Sequence, residues 1–413
     1  MMTRFCAYID KVFQFRQQAA TLTDARPQPV IPTKAVFATA FAMFATHRGS
    51  LNAMDLQRRF PSRLRDIVGP HVPSADTVGR VYALLDSSVL RQVLRAVHLR
   101  IKRNKMLNKT TGYVFAAVDG HEFFASRKRC CDECLTRTIT VQDEEVTEYY
   151  HRGVVAHLIG QDLAIPLDME LLAPGEGEVP AAKRLLGRMF ASYSRYFDAV
   201  AGDSLYFEAP FINFCLEHNK HVVVVVKGDQ RVLLRHAKGL FSQMPPQEWT
   251  ERRKTIQFWD EEGFTTAEGV SRPLRVLHTV ETEQRRERIA RKWADREVES
   301  SWYWATTFPK RLLPTREFWQ AGHWRWHIEN GCFNTTSTHW GLDHAYKHDP
   351  KAIVNFVLTL FLAFVLLQCF WRRNLKPPFR DLFTLIGLAD ELYKALGEPQ
   401  CGRACSAPLA RAP

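Results

Sequence analysis

Residues 352–371 read AIVNFVLTLFLAFVLLQCFW, a nearly continuous apolar run. A run of about 20 such residues approaches the length a helix needs to cross a bilayer. Asn355, Thr359 and Gln368 interrupt it, Lys347 and Lys351 precede it, and Arg372 and Arg373 follow it. No second segment would join it in a membrane. Polar side chains in hydrocarbon are costly unless they find hydrogen-bond partners. The run therefore predicts a core helix rather than a membrane span, inside a protein large enough to cover it. The 413 residues, 46% hydrophobic and 24% charged, supply that cover as a folded chain of two or three lobes.

Fifty-six Lys and Arg face 44 Asp and Glu, a formal net charge of +12. A surplus of this size on a folded chain favours a polyanionic partner, because each neutralised phosphate releases counterions. The N-terminal MMTRFCAYIDKVFQFRQQ has no apolar segment followed by a small-residue cleavage site, so no signal peptide is predicted. Nine cysteines, at 6, 130, 131, 134, 215, 332, 369, 401 and 405, are odd in number and irregularly spaced. That pattern suits a reducing cytoplasm better than a disulfide framework.

Along the chain, residues 1–110 read as a helical domain. Ser74 or Asp76 is placed to cap a long helix, TVGRVYALLDSSVLRQVLRAVHLRIKRNK, with a strongly basic end. Such a lobe either contacts DNA ends or caps the next domain. From residue 111 to 229 the character changes. GYVFAAVDG, VVAHLIG, LAIPLDMELL, DAVAGD and HVVVVVKGD read as strands, and PAAKRLLGRMFASYSRYF reads as a helix. Residues 230–300 read as a β-rich insertion of low regularity whose charged end, EQRRERIARKWADREVE, reads as a solvated loop or helix. The core resumes over 301–375 with SWYWATTF, the helix REFWQAGHWRWHIENGCFN and the apolar run. Residues 376–413 read as a last helix and a flexible tail that includes CGRAC. The order of elements predicts an α/β fold with an antiparallel meander at the start of its sheet.

Asp119 and Asp203 each fall at the carboxyl end of an apolar strand reading, where open α/β sheets bind ligands. A lone strand-end Asp is most simply a turn cap. Two of them, with Glu329 on a later helix, could place carboxylate oxygens around a hard divalent cation. Taken alone, Glu329 could equally be the partner of Arg325, one helical turn before it.

AAVDGHE, VAGDSLYFEAPF and HWRWHIENGCFN resemble the three acidic motifs of bacterial insertion-sequence DDE transposases. The nearest type is the insertion-sequence-four group, whose Glu helix carries Tyr-x2-Arg-x3-Glu-x6-Lys. PGEGEVPAAKRLLGRMF is similar to family sequence as well, and the likeness extends over roughly residues 75–373. It implies an RNase H-like mixed sheet flanked by helices, with a β-rich insertion between Asp203 and Glu329 and an N-terminal helical domain. It also implies two Mg²⁺ (or Mn²⁺) ions on Asp119, Asp203 and Glu329, cleavage of double-stranded DNA at terminal inverted repeats, and transfer of the 3′-OH ends into target DNA. A homodimer holding two ends follows from the same resemblance. Arg325 matches the Arg of the pattern, a phosphate contact, and Trp326 stands where relatives place a Trp against the transposon end. Stacking on an unpaired base is the physical use of such a ring, and a core tryptophan is the plain alternative. The chain departs from the pattern at Gly322, where Tyr is expected, and at Thr336, where Lys is expected. Lys347 and His344 are nearby cations without a matching position.

RKRCCDECLTR offers Arg127, Lys128 and Arg129 to phosphate, and Cys130, Cys131 and Cys134 to zinc, with His121 and His151 at some distance. A second well-formed Cys-x2-Cys pair is missing, which favours a basic loop of reduced thiols over zinc. His339, His344 and His348 read as DNA-backbone contacts or packing rather than metal ligands; His151 and Arg152 could lie near the active face, with a hydrogen-bonded structural histidine the simpler reading of His151. No Gly-x-Ser-x-Gly elbow or phosphate-binding P-loop is present. Three functions remain open: a transposase, a hydrolytic endonuclease on the same core, and a catalytically silent DNA-binding derivative.

Overall fold

A computed structural model describes residues 1–59, 62–108, 111–228, 232–289 and 292–397. The expected tail from 398 onward, with CGRAC, lies outside the described residues. Seven helices come first: α1 (Met2–Phe13), α2 (Phe15–Ala19), α3 (Thr33–Ala45), α4 (Leu51–Arg59), α5 (Leu64–Val68), α6 (Ala75–Tyr82) and α7 (Ser87–Arg103). The predicted long helix is two. The Ser74 hydroxyl caps α6 by accepting from Thr77 N. Asp86 then interrupts the pattern and starts α7 by accepting from Ser88 N.

Four strands follow: β1 (Phe115–Ser126), β2 (Leu135–Val141), β3 (Glu144–Ile159) and β4 (Ile165–Leu171). Next come α8 (Glu178–Tyr193), β5 (Ala199–Gly202), α9 (Ala209–Glu217), β6 (His221–Val225) and α10 (Val232–Phe241). The insertion contributes β7 (Gln247–Glu251), β8 (Lys254–Phe264), β9 (Leu274–Ile289) and β10 (Lys292–Thr306). The chain closes with α11 (Thr315–Trp324), α12 (Asn334–Trp340), α13 (Pro350–Arg373), α14 (Pro377–Arg380) and α15 (Leu385–Gly397).

All ten strands form one mixed sheet in the order β2-β3-β1-β5-β6-β10-β9-β8-β7, with β4 also on β3. Its centre, β1, β5 and β6, is parallel. β3 runs antiparallel to β1 on one side, and β10 antiparallel to β6 on the other. The expected insertion is therefore continued into the sheet of the core through β10. Its charged end is neither loop nor helix but a β9–β10 hairpin, paired from Arg275–Thr306 out to Ile289–Lys292. β8 accompanies β9 only as far as Glu283. Beyond it the hairpin is two-stranded, and its described side chains at 284–286 and 296–297 are exposed at successive positions, so the sequence there lacks the alternation that betrays a half-buried strand.

α13 is the predicted core helix, buried from Ala352 to Phe370 except at Val354. It is the one helix among the described residues long and apolar enough to span a bilayer, and 94% of its most apolar window is covered by the protein. Each interrupting polar residue has a partner. Asn355 donates to the carbonyls of Tyr82 and Leu85, Thr359 bonds the Tyr82 hydroxyl, and Gln368 pairs with both backbone groups of Ala164. α3, α6 and α7 pack on α13. Arg91 and Arg95 of α7 donate to Asp168 and to the carbonyl of Ser192. Part of the basic character of α7 thus docks the N-terminal helices onto the sheet.

Candidate active site

Asp119 does not end its strand. β1 continues through GHEFFAS to Ser126, paired with β3. What ends is the parallel pairing with β5, at Ala117. From there β5 stops at Gly202 and Asp203 turns into a short 3-10 segment, accepting from Leu205 N through Oδ1. The two acids thus stand where neighbouring parallel strands part. Glu329 reaches the same place from the other side. The helix α11 ends at Trp324, and residues 328–333 form a π turn before α12. Such turns are rare and concentrate at functional sites.

The Arg325 guanidinium, only 6% exposed, lies between these elements. It is 3.4 Å from Asp119 Oδ2 and 3.2 Å from Glu329 Oε1, so the i, i+4 pairing is real and extends to the first acid. It also covers the Trp326 ring at 4.4 Å. Trp326 leans edge-on against Trp302 of β10, which ties it to the insertion.

A fourth carboxylate joins these three, one that the motif spacing does not point to. Glu178, the first residue of α8, accepts from Arg152 at 2.8 Å and from the Tyr206 hydroxyl at 2.7 Å. It sits so close to residue 120 that a Cβ there would lie 2.1 Å from its Oε2. Gly120, directly after Asp119, leaves room for that approach, and a side chain there would push the Glu178 and Arg152 ends aside. The signal was present in PGEGEVP, ahead of the second Asp, but spacing alone gives no reason to bring it beside the first. Burial pushes the Asp119 carboxyl up to about 7, against the pull of Arg325 and with further upward pressure from Glu178, Asp203 and Glu329. Burial is the larger cause and the neighbouring acids add to it, a combination that concentrates at functional sites.

The two departures from the acidic-helix pattern have structural reasons. A Cβ on Gly322 would lie 2.6 Å from the Trp304 ring, so α11 packs against β10 at glycine distance and no Tyr fits. Thr336 is fully buried and returns its hydroxyl to the Cys332 carbonyl at 2.7 Å, so this position faces the core. The π turn between Glu329 and Thr336 breaks the ordinary helical phase between them. Neither Lys347, packed against Gly79, nor His344, packed on Tyr346, is placed with the acids.

Arg127, Lys128 and Arg129 are exposed on the β1–β2 loop, as is Cys130. Cys131 and Cys134 instead turn inward to His151 of β3 and His348 ahead of α13. The structure thus gathers two of the three expected thiols with His151 and His348 in one group that could hold a metal, and leaves Cys130 outside it. The residues that complete the group lie 20 and 214 positions from a thiol, so no local motif announces them. His121 is not among them: it bonds Asp343 at 2.6 Å and stacks on Phe333. His339 and His344 pack on Trp340 and Tyr346.

A mixed sheet with acids where its parallel strands part, flanked by helices, defines the RNase H-like class. Comparison with known families narrows this: residues 110–366 match the transposase DDE domain, and the chain belongs to that family. A comparison with curated proteins finds no match.

Proposed function

We propose that this protein is an insertion-sequence transposase of the insertion-sequence-four type, which cleaves DNA at terminal inverted repeats and joins the ends to target DNA. Asp119, Asp203 and Glu329 are its catalytic carboxylates. The observation that carries the reading is Asp119 itself: a half-buried carboxyl, facing Arg325 and three other acids, at the edge of the parallel strands.

The donor set fits divalent cations. Its ligands are hard oxygens, and its mutual repulsion is the kind a dication relieves. Asp119, Asp203 and Glu329 would hold the two Mg²⁺ or Mn²⁺ ions. Such a pair, when bound, activates a water and stabilises the leaving 3′ oxygen. The rest falls to the protein. Asp119 must give up its proton to serve as a ligand, and Arg325 holds it and Glu329 in place while leaving a positive charge for a phosphate. Arg152 and Tyr206 hold Glu178 against Asp119. Arg127, Lys128 and Arg129 supply sequence-independent grip on the backbone, and Trp326 offers a ring for an unpaired base. A homodimer would hold both ends. Because Gly322 and Thr336 face the core, the end phosphate is gripped by Arg325, Arg152 and the β1–β2 loop rather than by a Tyr and a Lys at those positions.

The test is nicking of a DNA carrying the inverted repeats that flank the gene, with Mg²⁺ or Mn²⁺. Asp119→Asn should abolish nicking and leave end binding intact. Metal-dependent cleavage retained by that variant overturns the assignment. A pre-cut end then separates transposase from hydrolytic endonuclease: the former joins it to a target, the latter does not.

A further inference from the structure

Another group of metal-ligating side chains, among the described residues, lies at the far end of the β1–β3 pair. Cys131 Sγ and Cys134 Sγ are 3.6 Å apart, and His151 Nε2 is 3.3 and 3.4 Å from them. His348 Nε2 is 3.2 Å from Cys134 Sγ, and all four donor atoms lie within 4.8 Å of one another. A tetrahedral zinc, with arms of ~2.3 Å to sulfur and ~2.0–2.1 Å to nitrogen, places its ligand atoms roughly 3.3–3.8 Å apart. The four shortest distances in the quartet, 3.2–3.6 Å, are close to those values. The turn that presents the thiols is set by its own backbone, with Cys134 N on the Cys131 carbonyl and Cys131 N on Cys134 Sγ. Both imidazoles turn Nε2 toward sulfur, while Nδ1 of each is buried without a hydrogen-bond partner. A buried His151 and a partly buried His348 with only thiols, which are weak partners, are poorly satisfied as a purely packed cluster.

We propose that Cys131, Cys134, His151 and His348 form a structural zinc site. Two thiolates and two imidazoles complete a four-coordinate shell and leave no open position, the pattern of a structural rather than catalytic ion. Binding Zn²⁺ displaces the two thiol protons to solvent. The site joins three distant stretches: the loop after β1, the strand β3, and the segment between the Glu329 region and α13. It fixes the base of the loop that carries Arg127, Lys128 and Arg129, and pins the exit of the Glu-bearing segment to the strand pair that holds Asp119. None of its ligands belongs to the acidic site, so it stands or falls independently of the transposase reading.

Elemental analysis of full-length protein from zinc-supplemented cells, after dialysis against Mg²⁺, should find one zinc per chain. Cobalt exchanged into the site should give thiolate-to-cobalt charge transfer and the visible bands of a tetrahedral centre. Cys131→Ser and His348→Ala should lose that equivalent, whereas Cys130→Ser and Asp119→Asn keep it. His348→Cys, which supplies another zinc ligand, should keep zinc and strengthen the charge-transfer band, even if the alanine variant fails to fold. Wild-type protein without stoichiometric zinc, or zinc lost from Asp119→Asn but kept by Cys131→Ser and His348→Ala, overturns the proposal.

Discussion

The acidic centre and the thiol–imidazole quartet hang on the same pair of strands and are built in opposite ways. The acids stand half open, with Glu329 35% and Asp119 17% exposed at the side chain, and like charges press on one another. The quartet is closed: Cys134 and His151 are buried and the donors already converge. A site meant to exchange substrate needs open positions and tolerates electrostatic tension. A site meant to hold chain segments together completes its shell from the protein alone. The difference teaches where each part of the molecule keeps its unsatisfied interactions.

The strongest way to break the comparison is to remove one acid and ask whether the other site notices. Asp119→Asn or Glu329→Gln should lower DNA cleavage by about 10³-fold or more, since metal-assisted stabilisation is worth several kcal/mol. Zinc content should stay unchanged. If either variant loses zinc with activity, the two sites are not independent.

A pH titration of stability sharpens the contrast. The Asp119 carboxyl is raised in the folded protein from 3.8 to about 7. Between those values the folded state keeps a proton that the unfolded chain has released, so this group's contribution falls as pH rises from about 4 to 7 and is level beyond. The loss is on the order of a few kcal/mol. Histidines such as His98, His151, His157 and His278, lowered by burial, add a pH dependence common to both proteins. The readout is therefore the difference: in denaturation, the stability of wild type relative to Asp119→Asn should fall as pH rises through this range. At pH 8, Mg²⁺ or Mn²⁺ should raise the Tm of wild type and not of the variant. An equal response of both would remove the acids as the cation site.

Smaller effects test the scaffolds. Gly322→Ala forces a methyl into the Trp304 ring and should cost about 1–3 kcal/mol in urea unfolding. A neutral result would mean that α11 is not held at glycine distance. Replacing Arg127, Lys128 and Arg129 with Ala should weaken binding to any duplex alike. It should flatten the salt dependence by about one in log–log slope for each phosphate that is no longer neutralised. An unchanged slope would take the loop off the DNA.

Much of the acidic site was legible. Asp119, Asp203, Arg325 and Glu329 carry recognisable local sequence, and the structure brings Arg325 to both Asp119 and Glu329. Legibility fails where a function is assembled from far apart. Glu178 reaches Asp119 only because α8 starts beside β1, and Gly120 is the faint trace of that approach. His348 meets Cys134 only through the fold. The β9–β10 ribbon is hard to read for a different reason: where successive side chains are exposed, as at 284–286 and 296–297, a strand writes no alternation into its residues. Gly322 and Thr336 look like missing function in a motif, yet each obeys a packing demand from Trp304 or from the core.

α13 carries a consequence for how the protein is made. Its partners α3, α6 and α7 leave the ribosome early, and α3 is apolar on nearly every side. Their shared core cannot close until residues 350–373 have been synthesised, which at roughly 5–20 residues per second takes tens of seconds. During that interval the nascent chain carries an apolar helix packed only on α4, α5 and α6 and lacking its main partner, and any message truncated before α13 yields a product with that face permanently uncovered. Synthesis of the last quarter of the chain therefore decides whether the first quarter is a folded lobe or a substrate for chaperones and proteases.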